Sequence, residues 1–405
     1  MNLPLFIARR ITFKSKRTFS RLSVRIAILG IMLGLSVMIL SVAIVKGFQV
    51  EIKEKVRGFS GDIIVVKYDL NPSFEATPFT IAQDTLKALL SSPGIDYAQQ
   101  FGNKPGIIDI NDEMEGVVMK GVDKNYNWSY IKSALVSGKV IDFSDTVKSK
   151  RQILISQYTA DRLRIKTGDD FLITFFGPLR KRKFEVVGIY NLGVEDLDKT
   201  YIIGDISVVR RLNNWTPEQV GGYEIRVKDF GQLDQIAGKV YENLGVLVRS
   251  YSIKEYYPEI FQWLSLLDVN TEVILILMLI VAVINMISAL LIIILERTNM
   301  IGVLKALGST NWNIRKVFLY NAAYLIGFGL ILGNILGVGL AVFQDYTHFF
   351  SLEQSTYYIT FVPIELNISD VILINAGTLI ICLLVLIIPS MLVSRISPVK
   401  AIAFK

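Results

Sequence analysis

Four long apolar runs stand out in the pattern of hydrophobic and polar positions along the chain. They cover residues 26–45, 273–295, 317–343 and 371–393. A helix needs roughly 17–25 consecutive apolar residues to cross a bilayer, and each run meets that requirement. The pattern therefore predicts four transmembrane helices, at 22–48, 266–295, 317–343 and 370–393.

The segment between the first two predicted spans, residues 49–265, has a different pattern. Short stretches rich in Val, Ile and aromatic residues, bounded by Gly, Asp, Asn or Pro, predict strands at 62–68, 106–110, 116–120, 152–155, 171–176, 183–190, 223–227 and 246–250. Helical spacing predicts helices at 80–90, 156–163, 205–212 and 233–244. The predicted fold class is thus membrane α-helical, with a large α+β domain inserted between the first and second transmembrane helices. We expect two subdomains in it, one inserted into the other at about 123–217.

A short connector, residues 296–316, joins the second and third predicted spans. Its first half is amphipathic at helical spacing. The apolar positions are Met300, Ile301, Val303, Leu304 and Leu307, and the polar positions are Arg297, Asn299, Lys305 and Ser309. Gly308 stands where a helix C-cap is expected. The connector is predicted to be a short helix along a membrane face, able to transmit a push from a soluble partner.

The distribution of charge predicts the orientation in the membrane. Residues 1–25 carry seven Lys or Arg and no acid, and the connector and the tail 394–405 are also basic. The loop 344–369 has no Lys or Arg but contains Asp345, Glu353 and Glu365. By the positive-inside rule, both termini and the connector are expected in the cytoplasm, and the large domain and the loop 344–369 outside. The net charge of +7 then reflects topology rather than nucleic-acid binding.

Residues 1–21 alternate basic and apolar side chains, which predicts an interfacial amphipathic helix on the inner leaflet.

Small residues four apart, at Gly30 and Gly34 and at Gly329, Gly333 and Gly337, allow helix backbones to approach closely in lipid. The pattern leaves two alternatives open, packing within one chain and packing between two chains.

The chemistry-bearing residues argue against an enzyme. The sequence has no phosphate-binding loop of the form G-x-x-x-x-G-K-[S/T]. His348 is the only histidine, which removes His-based metal sites and His-based triads from the large domain, and Cys382, the only cysteine, lies inside a span. The four apolar runs contain no charged residue, which disfavours secondary transport coupled to an ion. No catalytic residue, cofactor site or metal site is expected on this chain.

Short motifs over nearly the whole chain are similar to those of one family. They read FIARR at 6–10, IVKGFQ at 44–49, L-x-x-LD-x-N at 264–270, ERTNMIGVLKALGS at 296–309 and SRISPVKA at 394–401. Together with the order of one span, a large domain and three further spans, they resemble the FtsX/MacB-type ABC transporter permeases. The resemblance is strongest to the LolC/LolE lipoprotein-releasing permeases.

The resemblance implies a permease subunit in the bacterial inner membrane that extracts lipoproteins from the outer leaflet and releases them to a periplasmic carrier. It implies a LolD-like cytoplasmic ATPase dimer, which would bind ATP and Mg, a second permease subunit of the same or a related chain, and a LolA-like carrier. The ATPase-coupling residues implied by it are Glu296, Arg297, Met300, Ile301, Gly302, Leu304, Lys305, Leu307 and Gly308. The implied substrate cavity is lined by Val42, Val45, Phe48, Leu264, Leu267, Val273 and Leu277.

One departure from the family concerns carrier recruitment. LolC-type permeases carry a longer hairpin that hooks the carrier, whereas the segment 177–182 is a short basic hairpin tip. Its candidate docking residues are Pro178, Leu179, Arg180, Lys181 and Arg182.

Two alternative functions are compatible with the same fold. One is a MacB-like mechanotransmission permease for efflux with a periplasmic adaptor, and the other is an FtsX-like transmembrane regulator of a cell-wall hydrolase.

Overall fold

A computed structural model describes residues 3–14, 18–69, 73–75, 77–82, 92–110, 113–177, 180–244, 248–352 and 359–396. The chain divides into two compact units. The membrane unit comprises Met1–Val50, Leu264–Ser351 and Phe361–Lys405, and the sheet unit comprises Glu51–Trp263 and Leu352–Thr360.

The helices of the described residues carry the four predicted apolar runs. In chain order they are α1 (Leu3–Lys14), α2 (Thr18–Ser60), α3 (Ser129–Ser133), α4 (Gln157–Leu163), α5 (Glu195–Thr200), α6 (Ile206–Asn213), α7 (Leu233–Asn243), α8 (Ile253–Tyr256), α9 (Pro258–Glu296), α10 (Thr298–Ala306), α11 (Asn311–Thr347), α12 (Ile368–Ser390) and α13 (Leu392–Arg395). Four of these, α2, α9, α11 and α12, are long and apolar enough to cross a membrane. The predicted fold class is confirmed.

The span helices extend beyond the apolar runs that predict them. The helix α2 continues to Ser60, and α9 begins at Pro258, ahead of the apolar run from 273. The extension of α2 reads KGFQVEIKEKVRGFS, in which Lys, Gln and Glu are good helix formers. A hydropathy pattern detects only the apolar part of such a helix, so the boundaries of the membrane-embedded segments stay predictions.

The glycines of both small-residue motifs lie at contacts between helices of the same chain. A side chain added at Gly329, Gly333 or Gly337 of α11 would lie within 3.0 Å of α2. On α2 itself, a Cβ at Gly30 would lie 2.4 Å from the amide nitrogen of Asn285 on α9. The glycines therefore let α2 pack closely between α9 and α11.

The strands of the sheet unit form one hydrogen-bonded sheet. They are β1 (Ile63–Lys67), β2 (Ile95–Ile110), β3 (Glu113–Val122), β4 (Leu135–Gly138), β5 (Gln152–Ser156), β6 (Asp170–Phe175), β7 (Arg180–Tyr190), β8 (Tyr201–Asp205), β9 (Gly222–Val227) and β10 (Val248–Ser252). Their order is β10-β1-β9-β2-β3-β8-β5-β7-β4, with β6 pairing to β2 and β7. Strands β4 to β8, from the predicted insertion, occupy one end of this order, and the division into subdomains stays a prediction.

The sequence pattern missed β4, β8 and the first half of β2. In β8, all five residues are buried, so the alternation that marks a half-exposed strand is absent. The part of β2 before the predicted strand, residues 95–105, contains buried polar residues, including Gln99 and Lys104, which donate hydrogen bonds to Glu224 and Glu75. The helix predicted at 80–90 lies largely outside the described residues.

Buried ion pairs connect the end of α2 to the sheet. Lys120 on β3 is 2% exposed and lies 2.7 Å from a carboxylate oxygen of Glu224 on β9. Burial lowers the pKa of Lys120, and the neighbouring Glu224 carboxylate opposes that shift. Lys120 also donates to the backbone carbonyl of Phe59 at the end of α2. Arg57 of α2 binds the fully buried carboxylate of Asp62. Removal of one partner would leave a buried charge unpaired.

Candidate functional site

The connector contains the predicted short helix, and its end has the predicted cap. The helix α10 covers Thr298–Ala306, and Gly308 adopts the left-handed conformation at φ +86°. The amide of Gly308 donates to the carbonyl of Lys305, and the amide of Ser309 donates to that of Leu304, both at 3.0 Å. This is the hydrogen-bond pattern of a Schellman motif, in which glycine is preferred because it has no Cβ.

One face of α10 packs against the spans. Ile301 and Gly302 are buried, and Ile301 belongs to the hydrophobic core of the membrane unit. Met300 and Leu304 are half-buried and pack against the same core. These four predicted coupling residues therefore hold α10 in place within the chain.

The connector also has exposed apolar side chains, on α10, at its C-cap and at the start of α11. Val303 is 48% exposed and Leu307 is 78% exposed, and Trp312, at the start of α11, is 53% exposed. The Nζ atom of Lys316 lies 5.6 Å from the centre of the Trp312 ring. The sequence pattern named Leu307 but missed Trp312, and it could not separate the exposed face from the packed one. We call Val303, Leu307 and Trp312 the connector face.

Lys305 ties the connector to the end of the last span. Its Nζ atom donates to the backbone carbonyls of Ser394 at 3.1 Å and Ile396 at 2.8 Å. Arg315 on α11 donates to the hydroxyl of Ser394 at 3.2 Å. Cations next to the carbonyls at a helix C-terminus are favourable, since these carbonyls have no partner within the helix. Of the remaining predicted coupling residues, Glu296 ends α9 and Arg297 precedes α10, and both are half-buried.

A second set of contacts lies at the ends of the spans remote from the connector. Lys46 on α2 lies 2.6 Å from the Asp370 carboxylate on α12, and Gln49 donates to the Asp268 carboxylate on α9 at 2.7 Å. A Cβ at Gly47 would lie 2.4 Å from the carbonyl oxygen of Pro363, in the chain before α12. Lys46, Gly47 and Gln49 belong to the IVKGFQ motif, but the sequence did not reveal their partners.

The predicted cavity residues lie on two neighbouring helices. Val42, Val45 and Phe48 are half-buried on α2. On α9, Leu264 is buried, Leu267 is half-buried, and Val273 and Leu277 are 50% and 53% exposed.

The amide of Gln49 also donates to the carbonyl of Leu264 at 3.3 Å. Together with the bond between Gln49 and Asp268, this contact brings α2 and α9 together next to the predicted cavity residues.

The basic hairpin differs from the prediction. Strands β6 and β7 form an antiparallel pair in which Phe175 is opposite Arg180, Thr174 opposite Lys181 and Ile173 opposite Arg182. These three basic residues therefore lie in the strand rather than at the hairpin tip, because the ladder continues to the end of β6. Pro178 and Leu179 lie outside the described residues.

Comparisons with known proteins agree with this architecture. A family model described as the FtsX-like permease C-terminal domain matches residues 272–398, and one described as the MacB-like periplasmic core domain matches residues 26–241. The chain is 23% identical to the lipoprotein-releasing system transmembrane protein LolC of Neisseria meningitidis serogroup B over 423 residues, 98% of each chain. It is 20% identical to the corresponding protein LolE of Haemophilus influenzae over 426 residues, the whole of both chains.

A solved structure of the periplasmic region of MacB from Actinobacillus actinomycetemcomitans is similar at a TM-score of 0.34 and 10% identity, covering 51% of this chain and 96% of that one. The MacB-like family model extends over more than half of the chain, and the FtsX-like model covers the last three span helices. The chain is a permease subunit with membrane-spanning helices and a periplasmic core domain, and it belongs to the FtsX/MacB-type ABC transporter permeases.

Proposed function

We propose that this permease subunit extracts lipoproteins from the outer leaflet of the inner membrane and releases them to a periplasmic carrier. ATP and Mg are bound and ATP is hydrolysed on a separate ATPase subunit, and a second permease subunit completes the transporter. The relatives named as components of lipoprotein-releasing systems, similar over the full length of the chain, support this choice of cargo.

The observation that carries the proposal is the connector face. Val303 and Leu307 expose apolar side chains at α10, whose other side is packed into the core of the spans, and Trp312 exposes a further one at the start of α11. Exposed apolar patches on a protein surface often mark contacts with partners. An ATPase that binds this face can push against α10, and the packed side of α10 passes the push to the spans.

Charge supports the location of this contact. The connector and both termini are basic, so by the positive-inside rule we expect them in the cytoplasm, where ATP is available. The large domain is then periplasmic, in keeping with the family model that matches it.

The apolar residues on α2 and α9 support a cargo with acyl chains. Val273 and Leu277 are half-exposed on α9, and Val42, Val45 and Phe48 are half-buried on α2. Acyl chains transfer favourably from lipid to such a surface only when it encloses them, so we expect the second subunit to close the cavity from the other side.

A photocrosslinking side chain at Phe48 or Leu267 tests the proposal. In membranes that contain the assembled transporter, either position should crosslink to a triacylated lipoprotein, and the yield should fall when the ATPase is active and a carrier is present. A crosslinker at Leu373, which is 70% exposed on α12, serves as the control and should capture lipid but no lipoprotein. Equal capture at Leu373, or no capture at Phe48 and Leu267, would contradict the proposal.

A further inference from the structure

The sheet unit has an open cleft on one face of its sheet. The cleft has a volume of about 660 Å³, which lies in the range of sites that hold small molecules or short peptides. Five aromatic residues line it: Phe74, Phe101, Tyr201, Tyr251 and Tyr256. Phe74 and Tyr256 are 59% and 38% exposed, so aromatic surface is accessible at the mouth of the cleft.

An unsatisfied acceptor lies in the floor of the cleft. Asn103 on β2 is 8% exposed, and its side-chain oxygen is buried without a hydrogen-bond partner among the described residues. Next to it, a narrow cavity of about 10 Å³ reaches the ion pair of Lys120 and Glu224 and has room for about one water molecule. A buried acceptor without a partner is costly, and a ligand that donates a hydrogen bond to Asn103 removes that cost.

The charged groups of the cleft are mainly carboxylates. Among the described residues, Asp69, Glu75 and Glu255 line it, together with one cation, Lys67. Glu75 is partly neutralised by Lys104 at 2.6 Å. A carboxylate accepts several hydrogen bonds, so these groups keep acceptor capacity beyond the bonds they already make. Aromatic faces and carboxylates together attract cationic groups such as guanidinium and ammonium.

We propose that this cleft binds an extended, basic peptide segment of the cargo lipoprotein. The arginine or lysine side chains of the segment contact the aromatic residues and the carboxylates, and a backbone or side-chain N–H donates to the oxygen of Asn103. The cleft thus recognises the protein part of the cargo.

The inference rests on the proposed function, because it assumes that the cargo is a protein attached to a lipid. The proposed peptide cleft and the proposed acyl cavity include residues that are close together in the sequence. Tyr256 lies two residues before the start of α9, which carries Leu264, Leu267, Val273 and Leu277 of the predicted cavity. In a lipoprotein, the peptide next to the acylated residue connects the lipid-bound end to the folded part of the protein. The cleft belongs to the domain that lies between α2 and α9 in the sequence, and these two helices carry the predicted cavity residues. A peptide site on this domain therefore suits a lipoprotein cargo.

Peptide binding to the full-length protein in detergent tests the inference without transport. The probe is a fluorescein-labelled Gly-Ser peptide with spaced arginines, and the matched probe has glutamates in their place. Fluorescence anisotropy should show at least about tenfold tighter binding of the arginine peptide, since the cleft offers carboxylates and aromatic faces. Asn103→Leu, Tyr256→Ala and Asp69→Asn should each weaken it, Asn103→Leu by about tenfold.

The matched control is Asp161→Asn. Asp161 is exposed and lines a different open pocket of the same unit, so its substitution should leave the affinity unchanged. Tyr256 and Asp69 are exposed, and their variants test the cleft even where Asn103→Leu disturbs folding.

Equal binding of the two peptides, or unchanged affinity in all three variants, would overturn the inference and leave Asn103 satisfied by water alone. Crosslinking of lipoprotein at Phe48 decides the proposed function separately, since that position reports on the acyl chains and not on the peptide.

Discussion

Leu307 is the residue of the connector at which docking can be tested without disturbing the fold. Its side chain is 78% exposed, directly before the capping Gly308. We expect Leu307→Asp to weaken binding of the ATPase by about tenfold or more, because it places a charge in an apolar contact. Co-purification with the ATPase and lipoprotein release measure the effect, and both should fall while membrane insertion stays normal.

The control for Leu307→Asp is Val147→Asp, a similarly exposed apolar position of the sheet unit at 71%. It should leave ATPase binding and release intact. Full ATPase binding by Leu307→Asp would show that the connector face is not the docking surface. Substitution of Ile301 or Gly302 would be less informative, because both are buried and the change would also perturb the core of the spans.

At the residue scale, the sequence could predict those features that depend on the spacing of neighbouring residues along the chain. Gly308 was predicted from its position after an amphipathic run, and the structure confirms its capping conformation. The partners of Lys305, Gln49 and Lys46 could not be predicted, because they depend on pairings between residues distant in sequence. Lys305, for instance, binds carbonyls about 90 residues further along the chain.

At the scale of elements, strong periodicity and length decided what could be predicted. The four span helices follow from runs of apolar residues, and strands such as β5, β6 and β9 follow from short Val- and Ile-rich stretches. The strand β8 was missed because it is buried on both faces, and the start of β2 was missed because polar residues occupy several of its buried positions. In both cases tertiary contacts, rather than local pattern, decide the structure.

The packing of α11 on α2 yields a prediction about one glycine. A Cβ at Gly333 would lie 2.9 Å from the Cβ of Leu35 and 3.0 Å from the carbonyl oxygen of Met32. We therefore expect Gly333→Ala to destabilise the membrane unit by about 1–3 kcal/mol, the usual cost of overpacking. Thermal unfolding of the full-length protein in detergent should show a lower midpoint.

Gly327 on the same helix provides the comparison. A Cβ there would have no atom within 4 Å, so Gly327→Ala should leave the midpoint unchanged or raise it slightly, since alanine is the better helix former. If both variants unfold at the same temperature as the wild type, the close approach of α11 and α2 is not needed for stability.

At the scale of the whole molecule, the orientation rests on the distribution of charge and can be tested by cysteine labelling. In a Cys382→Ala background, Ser144→Cys places an exposed thiol in the sheet unit and Asn311→Cys places one in the connector. A membrane-impermeant maleimide should label Ser144→Cys in intact spheroplasts and label Asn311→Cys only after permeabilisation. Labelling in the reverse order would invert the predicted topology and remove the connector from the reach of ATP.

The bonds of Lys305 have a consequence for how the four spans respond to a docked partner. Because Lys305 binds the carbonyls of Ser394 and Ile396, the end of the chain beyond α12 is attached to α10. A displacement of α10 therefore acts on the last span directly, as well as on α9 and α11, its neighbours in sequence.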